Sequence, residues 1–360
     1  AVASTFSTNL YTGNSSAQTI TNGIDLAGDG GMVWGKSRNI VDDHWIVDSE
    51  NGIGSNGTYY FLEPSINTPL RNNGDRSVKT FNSNGFTLAT GSNAQFNLSP
   101  NTYVSWTFKK QAKFFDIVTY TGTGVAGRTV SHNLGSIPGM IIFKKTSDYD
   151  NWAVYHRGAN GGVDPEDYRF ELNEDFAKTN RDGFLYDTAP TATEFTVGDG
   201  ALSNTNGATY VAYLFGHDTA ADSLIQCGIC SGESGSNRTI NLGWEPQWLL
   251  TKSDDAVGNW TIVDTQRGFT SVGGSGNSAR LVPNLSAVED TTDGVLKSPT
   301  GFYVNGLGGS GNYIYVAIRN SFIPTVTYDP NLQWSGGTAP TLPATGEKDV
   351  ITFNTTDGGT

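Results

Sequence analysis

Methionine and cysteine are nearly absent, two of each in 360 residues, and only 16% of the side chains are charged. Two cysteines cannot build a disulfide framework. The basic groups number 22 against 35 acidic ones, a net charge of −13. Phosphate recognition needs clustered Lys and Arg, so a nucleic-acid partner is not expected. No apolar run nears the roughly 20 residues of a membrane-spanning helix, so no membrane partner is expected. The chain does not open on a basic segment followed by an apolar one, so no signal peptide is read. The good helix formers Leu, Lys and Glu are scarce beside Gly, Asn, Ser and Thr, which argues against helices. Aromatic residues still make up 11% of the chain. Together with regularly placed β-branched residues they argue against disorder.

What is present is an internal repeat. Leu10-Tyr11-Thr12-Gly13 returns as Thr119-Tyr120-Thr121-Gly122 and, degraded, as Ile229-Cys230-Ser231-Gly232. Lys36, at the end of Gly31–Lys36, returns 108 residues on as Lys144 and again 108 on as Lys252. His44–Asp48 is set against Asn151–Tyr155 and Asn259–Val263, which aligns Trp45 with Trp152 and Trp260. Asn101–Trp106, Ala208–Tyr213 and Asn312–Ala317 close the units. The landmarks define three copies, 1–111, 112–220 and 221–320, and a tail, 321–360.

Each copy reads as short strands rich in Val, Ile, Thr and aromatics, separated by Gly, Asn, Asp and Pro. In copy two they are Phe115–Tyr120, Arg128–His132, Met140–Lys145, Trp152–His156, Tyr168–Leu172, Phe184–Asp187, Glu194–Val197 and Tyr210–Phe215. Trp152 and Val154 alternate with Ala153 and Tyr155, one pair on each face. The fold class is all-β: three tandem antiparallel β-sandwich repeats of the jelly-roll kind plus a short extended or hairpin tail. A period near 108 exceeds a solenoid unit or a propeller blade. The reading is therefore of domains strung as a stiff rod through short linkers.

The motifs Phe115–Gly122, Gly127–His132, Pro138–Ile142, Asn151–His156, Asp187–Pro190 and Thr209–Phe215 resemble repeats of virion and tail-fibre-like proteins of marine bacteriophages, including cyanophages. Copy three carries the pattern in Ile262–Gly268 and Ser278–Pro283, and copy one departs more, as in Asp48–Gly52. The tail segments Gln333–Leu342 and Asp349–Phe353 resemble the C-terminal part of such fibres. The resemblance implies a concanavalin-like fold. It also implies a virion structural or host-adhesion role on the particle surface, without enzymatic activity, and no catalytic residues. A carbohydrate-binding module array and a capsid decoration protein are the alternatives, and a polysaccharide-degrading tailspike is a further one.

Cys227 and Cys230 have CxxC spacing, but they fall in a strand at the places of Ile117 and Tyr120. An offset of three puts them on opposite faces, so both are expected reduced and at least one buried. His44, His132, His156 and His217 match no metal-binding spacing. Asp164, Glu166 and Asp167, and the pairs Asp42-Asp43, Asp254-Asp255 and Glu289-Asp290, read as solvated loops. No metal or cofactor is assigned; calcium is the one ion such loops admit, and no DxDxDG loop is present. Trp45, Trp152 and Trp260 read as core. The tail carries Phe322, Tyr328, Trp334, Val350, Ile351 and Phe353, an apolar set that must be covered, and its last strand is expected to lack a partner within the chain, as in a segment of a longer polypeptide. Those residues are expected to pack on a second chain, a symmetry mate in a homotrimer, with other virion proteins and a host glycan as further partners.

Overall fold

The computed structural model describes residues 2–320 apart from 53–59, 73–76, 91–94, 182, 231–237, 274–276, 293 and 305–310. The tail residues Phe322, Tyr328, Trp334, Val350, Ile351 and Phe353 lie outside the described residues.

The chain is all-β, with antiparallel sheets. Among the described residues, no sheet mixes strands of different copies. Copy one builds a main sheet in the order Phe6–Thr12, Thr102–Lys109, Gly31–Ser37, Trp45–Asp48. Copy two repeats this order with Phe115–Thr121, Thr209–Phe215, Met140–Lys145 and Ala153–His156, then adds Tyr168–Glu171 and Thr179–Asn180. Copy three does the same with Ile225–Cys230, Tyr313–Arg319, Pro246–Ser253 and Thr261–Asp264, then Ser278–Leu281 and Asp290–Thr292. A smaller sheet accompanies each main one, such as Gln18–Thr21 with Gly85–Leu88 and Val78–Asn82 in copy one.

The central strands show why this is not a rod. Gly31–Ser37 and Met140–Lys145 are buried along their whole length, on both faces. In copy two, Ala153 and Tyr155 join that copy's own core with Phe143 and Phe195. Trp152 and Val154 face the other way, into a core shared with Trp34 and Trp106 of copy one and Trp248 and Trp260 of copy three. Residues 2–320 form one compact unit, and the expected string of separate domains is corrected accordingly. A sandwich with one wet face would need apolar residues on only one side of these strands.

The shared core is layered, one residue pair from each copy per layer. Cross-strand register sets Met32 beside Phe108, Met140 beside Phe215 and Trp248 beside Ile318. The next layer holds Trp34 with Trp106, Ile142 with Tyr213 and Leu250 with Val316. The third holds Lys36, Lys144 and Lys252 beside Val104, Val211 and Ile314. At the first layer the Phe108 ring lies 5.6 Å from that of Phe215 and 5.7 Å from that of Trp248, so all three copies touch there.

Two local readings change. Phe184–Asp187 is a turn, with Tyr186 and Asp187 at φ +57° and +47°; Phe184 and Leu185 are still buried in the core of copy two. The register also shows that Trp45 pairs with Gly35, as Ala153 pairs with Phe143 and Thr261 with Thr251. The residue equivalent to Trp152 and Trp260 is therefore His44. Trp45 points one residue out of phase, into copy one's own core, because a slip of one reverses the face of a strand residue.

Candidate functional site: seams and loop tips of a three-copy ring

The copies meet at three equivalent seams, each closed by a pair of main-chain hydrogen bonds. Asp150 N donates to Asn67 O and Leu70 N to Thr146 O between copies two and one. Gly258 N donates to Asp175 O and Lys178 N to Asp254 O between copies three and two. Asp42 N donates to Ser286 O and Glu289 N to Arg38 O between copies one and three. The third seam closes the circle.

Side chains repeat the circle. The Trp152 indole donates to Glu63 O (3.1 Å) and Ile66 O (2.9 Å), and the Trp260 indole to Glu171 O (3.0 Å). His44 takes this place in copy one: its Nδ1 accepts from the Trp34 indole at 3.1 Å, and the Val282 backbone of copy three faces it. Burial holds its pKa well below the usual imidazole value. Asp48, His156 and Asp264 form a second circle at equivalent strand ends. Tyr213 donates to Asp48 Oδ2 at 2.7 Å, and the Trp106 indole to Asp264 Oδ2 at 2.9 Å. His156 Nδ1 accepts from Gly158 N at 3.0 Å, so Nε2 carries the proton and donates to Tyr315 O at 3.0 Å. Burial pushes the His156 pKa down to about 3 and raises that of Asp48.

Lys36, Lys144 and Lys252 are buried at one end of the shared core. Lys144 Nζ donates to Asn67 O and Asp150 O, and Lys252 Nζ to Asp175 O and Ser253 O, so both bind the neighbouring copy's loop. Lys36 Nζ binds its own loop, at Ser37 O and Ile40 O. Burial lowers each pKa to about 8. These groups are held as struts of the frame.

Past the lysines each copy turns from one central strand to the next through a short loop, and each loop carries one large apolar residue outward. Val41, Tyr149 and Val257 are 72%, 65% and 66% exposed and lie 108 residues apart. Asp42 and Asp43 flank the first, Asp148 and Asp150 the second, and Asp255 stands near the third. Exposed Phe176 follows the Asp175 carbonyl that accepts from the third loop. Each of these is a single exposed apolar side chain beside acidic residues, of which Asp150 pairs with Lys145 and Asp255 with Lys178.

Other candidates separate. Cys227 and Cys230 are not joined by a disulfide and both are buried, as expected, one in the shared core and the other in copy three's own core. Burial pushes the Cys227 thiol well above its usual range. His132 stacks on Phe195, 6.3 Å between ring centres, apart from the seam where His156 sits. Pro165–Asp167 forms a short 3-10 turn after Asp164. Asp254 is fully buried at a seam, against the solvated-loop reading. No group of three metal-ligating side chains assembles among the described residues. The seams escaped sequence reading although the acidic pairs beside Val41 and Val257 mark their loops.

A family model matches residues 2–321, the span over which the three copies form one unit. The chain belongs to the family described as domain of unknown function DUF7483. The DUF7483 match runs across all three copies, so the family unit is the ring, not a single copy. No curated protein matches the chain, and neither does any solved structure.

Proposed function

We propose that this protein is a structural or host-adhesion component of a bacteriophage virion, a non-enzymatic tail-fibre or appendage subunit at the particle surface. In this reading each copy is a jelly-roll sandwich of the concanavalin-like kind, and the 321–360 tail joins the chain to symmetry mates in a trimer. The observation that carries it is the triangle of Val41, Tyr149 and Val257 on a closed three-copy frame. A trimeric virion protein offers the same patch three times, and three weak contacts made at once bind far more tightly than one. The acidic rim favours a partner face with basic groups around an apolar centre. Sequence resemblance to marine phage fibre repeats supports the setting.

A capsid decoration protein is the second reading, favoured by the threefold arrangement, which suits a threefold position on a shell. Electron microscopy of intact particles labelled with antibody to this chain separates the two by location. The combined variant Val41→Ser, Tyr149→Ser, Val257→Ser should melt as the parent does and be lost from assembled particles. Incorporation at the parent level would rule out docking through this end, and an absence of label on particles would remove both readings.

A further inference from the structure

The repeat supplies its own control for a cavity in copy three. Where strand Pro246–Ser253 pairs with Thr261–Asp264, Thr251 lies opposite Thr261, on the face turned to copy three's own core. The same place in copy one is filled by Trp45, whose indole occupies the space that a Cβ on Gly35 would need and packs 4.7 Å from the Phe96 ring. In copy two it is filled by Phe143, 5.3 Å from the rings of both Phe184 and Phe195. Copy three has no ring at either strand position. A cavity of about 210 Å³ remains, lined by Thr251, Ser253, Asn259, Thr261, Arg280 and Tyr313, among others.

Its chemistry is specific. Neither threonine hydroxyl has a partner among the described residues, although both side chains are buried. The Asn259 carbonyl accepts from Asn284 at 2.7 Å, and its amide N–H groups remain available. Arg280 is engaged by both oxygens of Asp290, at 2.6 and 2.8 Å, and the Lys252 ammonium is turned to two carbonyls. Among the described residues, no lining side chain is a carboxylate. An anion would find no uncompensated charge, a divalent cation no oxygen anion, and an apolar guest would leave the hydroxyls unmatched. A ring bearing several uncharged hydroxyls satisfies this set, each hydroxyl both giving and accepting a bond, with Tyr313 as a flat wall.

We infer that the cavity bounded by Thr251, Thr261, Asn259 and Tyr313 is a binding site for one neutral pyranose unit of a glycan, present in copy three alone. The inference rests on the adhesion reading and names the ligand class that reading lacks. The test is saturation-transfer NMR on the full chain with the methyl glycosides of glucose, galactose and mannose. Signal transfer to at least one glycoside is expected. Thr251→Phe, which restores the ring of copy two, should abolish it with an unchanged melting temperature. Thr261→Val keeps the shape, removes one hydroxyl, and should weaken binding about 5- to 10-fold; it decides the matter if Thr251→Phe does not fold. No transfer to any glycoside, leaving a cavity that holds only water, would overturn the inference. So would transfer that survives both variants. Neither failure touches the particle location, which electron microscopy reads independently.

Discussion

Two seams of the ring do the same job with opposite charges. Between copies one and three, Arg38 grips Glu289 through two bonds of 2.7 and 2.9 Å. Between copies two and three the positions are exchanged: the cation is Lys178 and the anion Asp254, 3.1 Å apart, with Asp255 also on Lys178. At the remaining seam the equivalent pair is Leu70 and Thr146, neither of them charged. The main-chain bonds are common to all three, so joining does not depend on the charges. What the charges add is order. A copy-three edge placed against the wrong neighbour would set like charges together or leave a charge facing Leu70. Ion pairs used in this way specify register more than they stabilise.

The strongest way to break the comparison lies deeper in the copy one–three seam. Arg267 is fully buried, bonded through Nε to Asp264 at 2.5 Å, and its guanidinium sits 5.2 Å from the Trp106 ring centre. Arg267→Met leaves Asp264 buried with no cation and should cost about 3–5 kcal/mol, read as a fall in thermal midpoint. The copy two–three seam has a neutral His156 at the place of Asp264, so it should respond to acid instead. A buried imidazole whose pKa drops to about 3 contributes stability that is fully present above its unfolded value. That contribution is lost as pH falls from about 6.5 toward 3. The loss should be on the order of 4–5 kcal/mol by pH 3, and His156→Gln should flatten that part of the stability–pH curve measured by urea titration. Smaller, because the Lys178 ammonium is partly exposed while Asp254 is buried, Lys178→Met should cost about 1–3 kcal/mol and be only partly masked by high salt. Leu70→Met, at the uncharged pair of the copy one–two seam, should show no salt dependence; a salt response there would mean that the charge pattern at these pairs does not distinguish the seams.

Most of the strands were legible in sequence, and their common destination was not. Glu194–Val197 and Met140–Lys145 fall where alternation and turn residues place them. Even the two faces of Trp152–Tyr155 are right, because a period of two is a direct geometric consequence of the strand. The ring does leave its mark on Met140–Lys145: Met-Ile-Ile-Phe is apolar at every position, which means cover on both sides. By residue type Trp45 aligns with Trp152, whereas cross-strand register matches Trp152 with His44. A histidine can stand in for tryptophan there because the place requires a flat ring and one buried N–H. The candidate surface was hidden for another reason. Val41, Tyr149 and Val257 look like ordinary loop residues until closure brings their loops to one end. The copy-three cavity needs cross-strand register, which sequence spacing alone leaves open.

Closure also has a consequence for synthesis. Contacts within a copy can form as soon as its last strand has been made, but the circle needs Arg38 to meet Glu289, 251 residues later in the chain. Until then copies one and two leave the ribosome with the inner surfaces of Trp34, Trp106 and Trp152 lacking copy three. Long-range pairings of this kind form late and leave apolar surface open to aggregation meanwhile. A nascent chain halted after residue 220 would present the greasy lining of an unfinished vessel, ready to be sealed by the last third of the same molecule or by another chain halted at the same point.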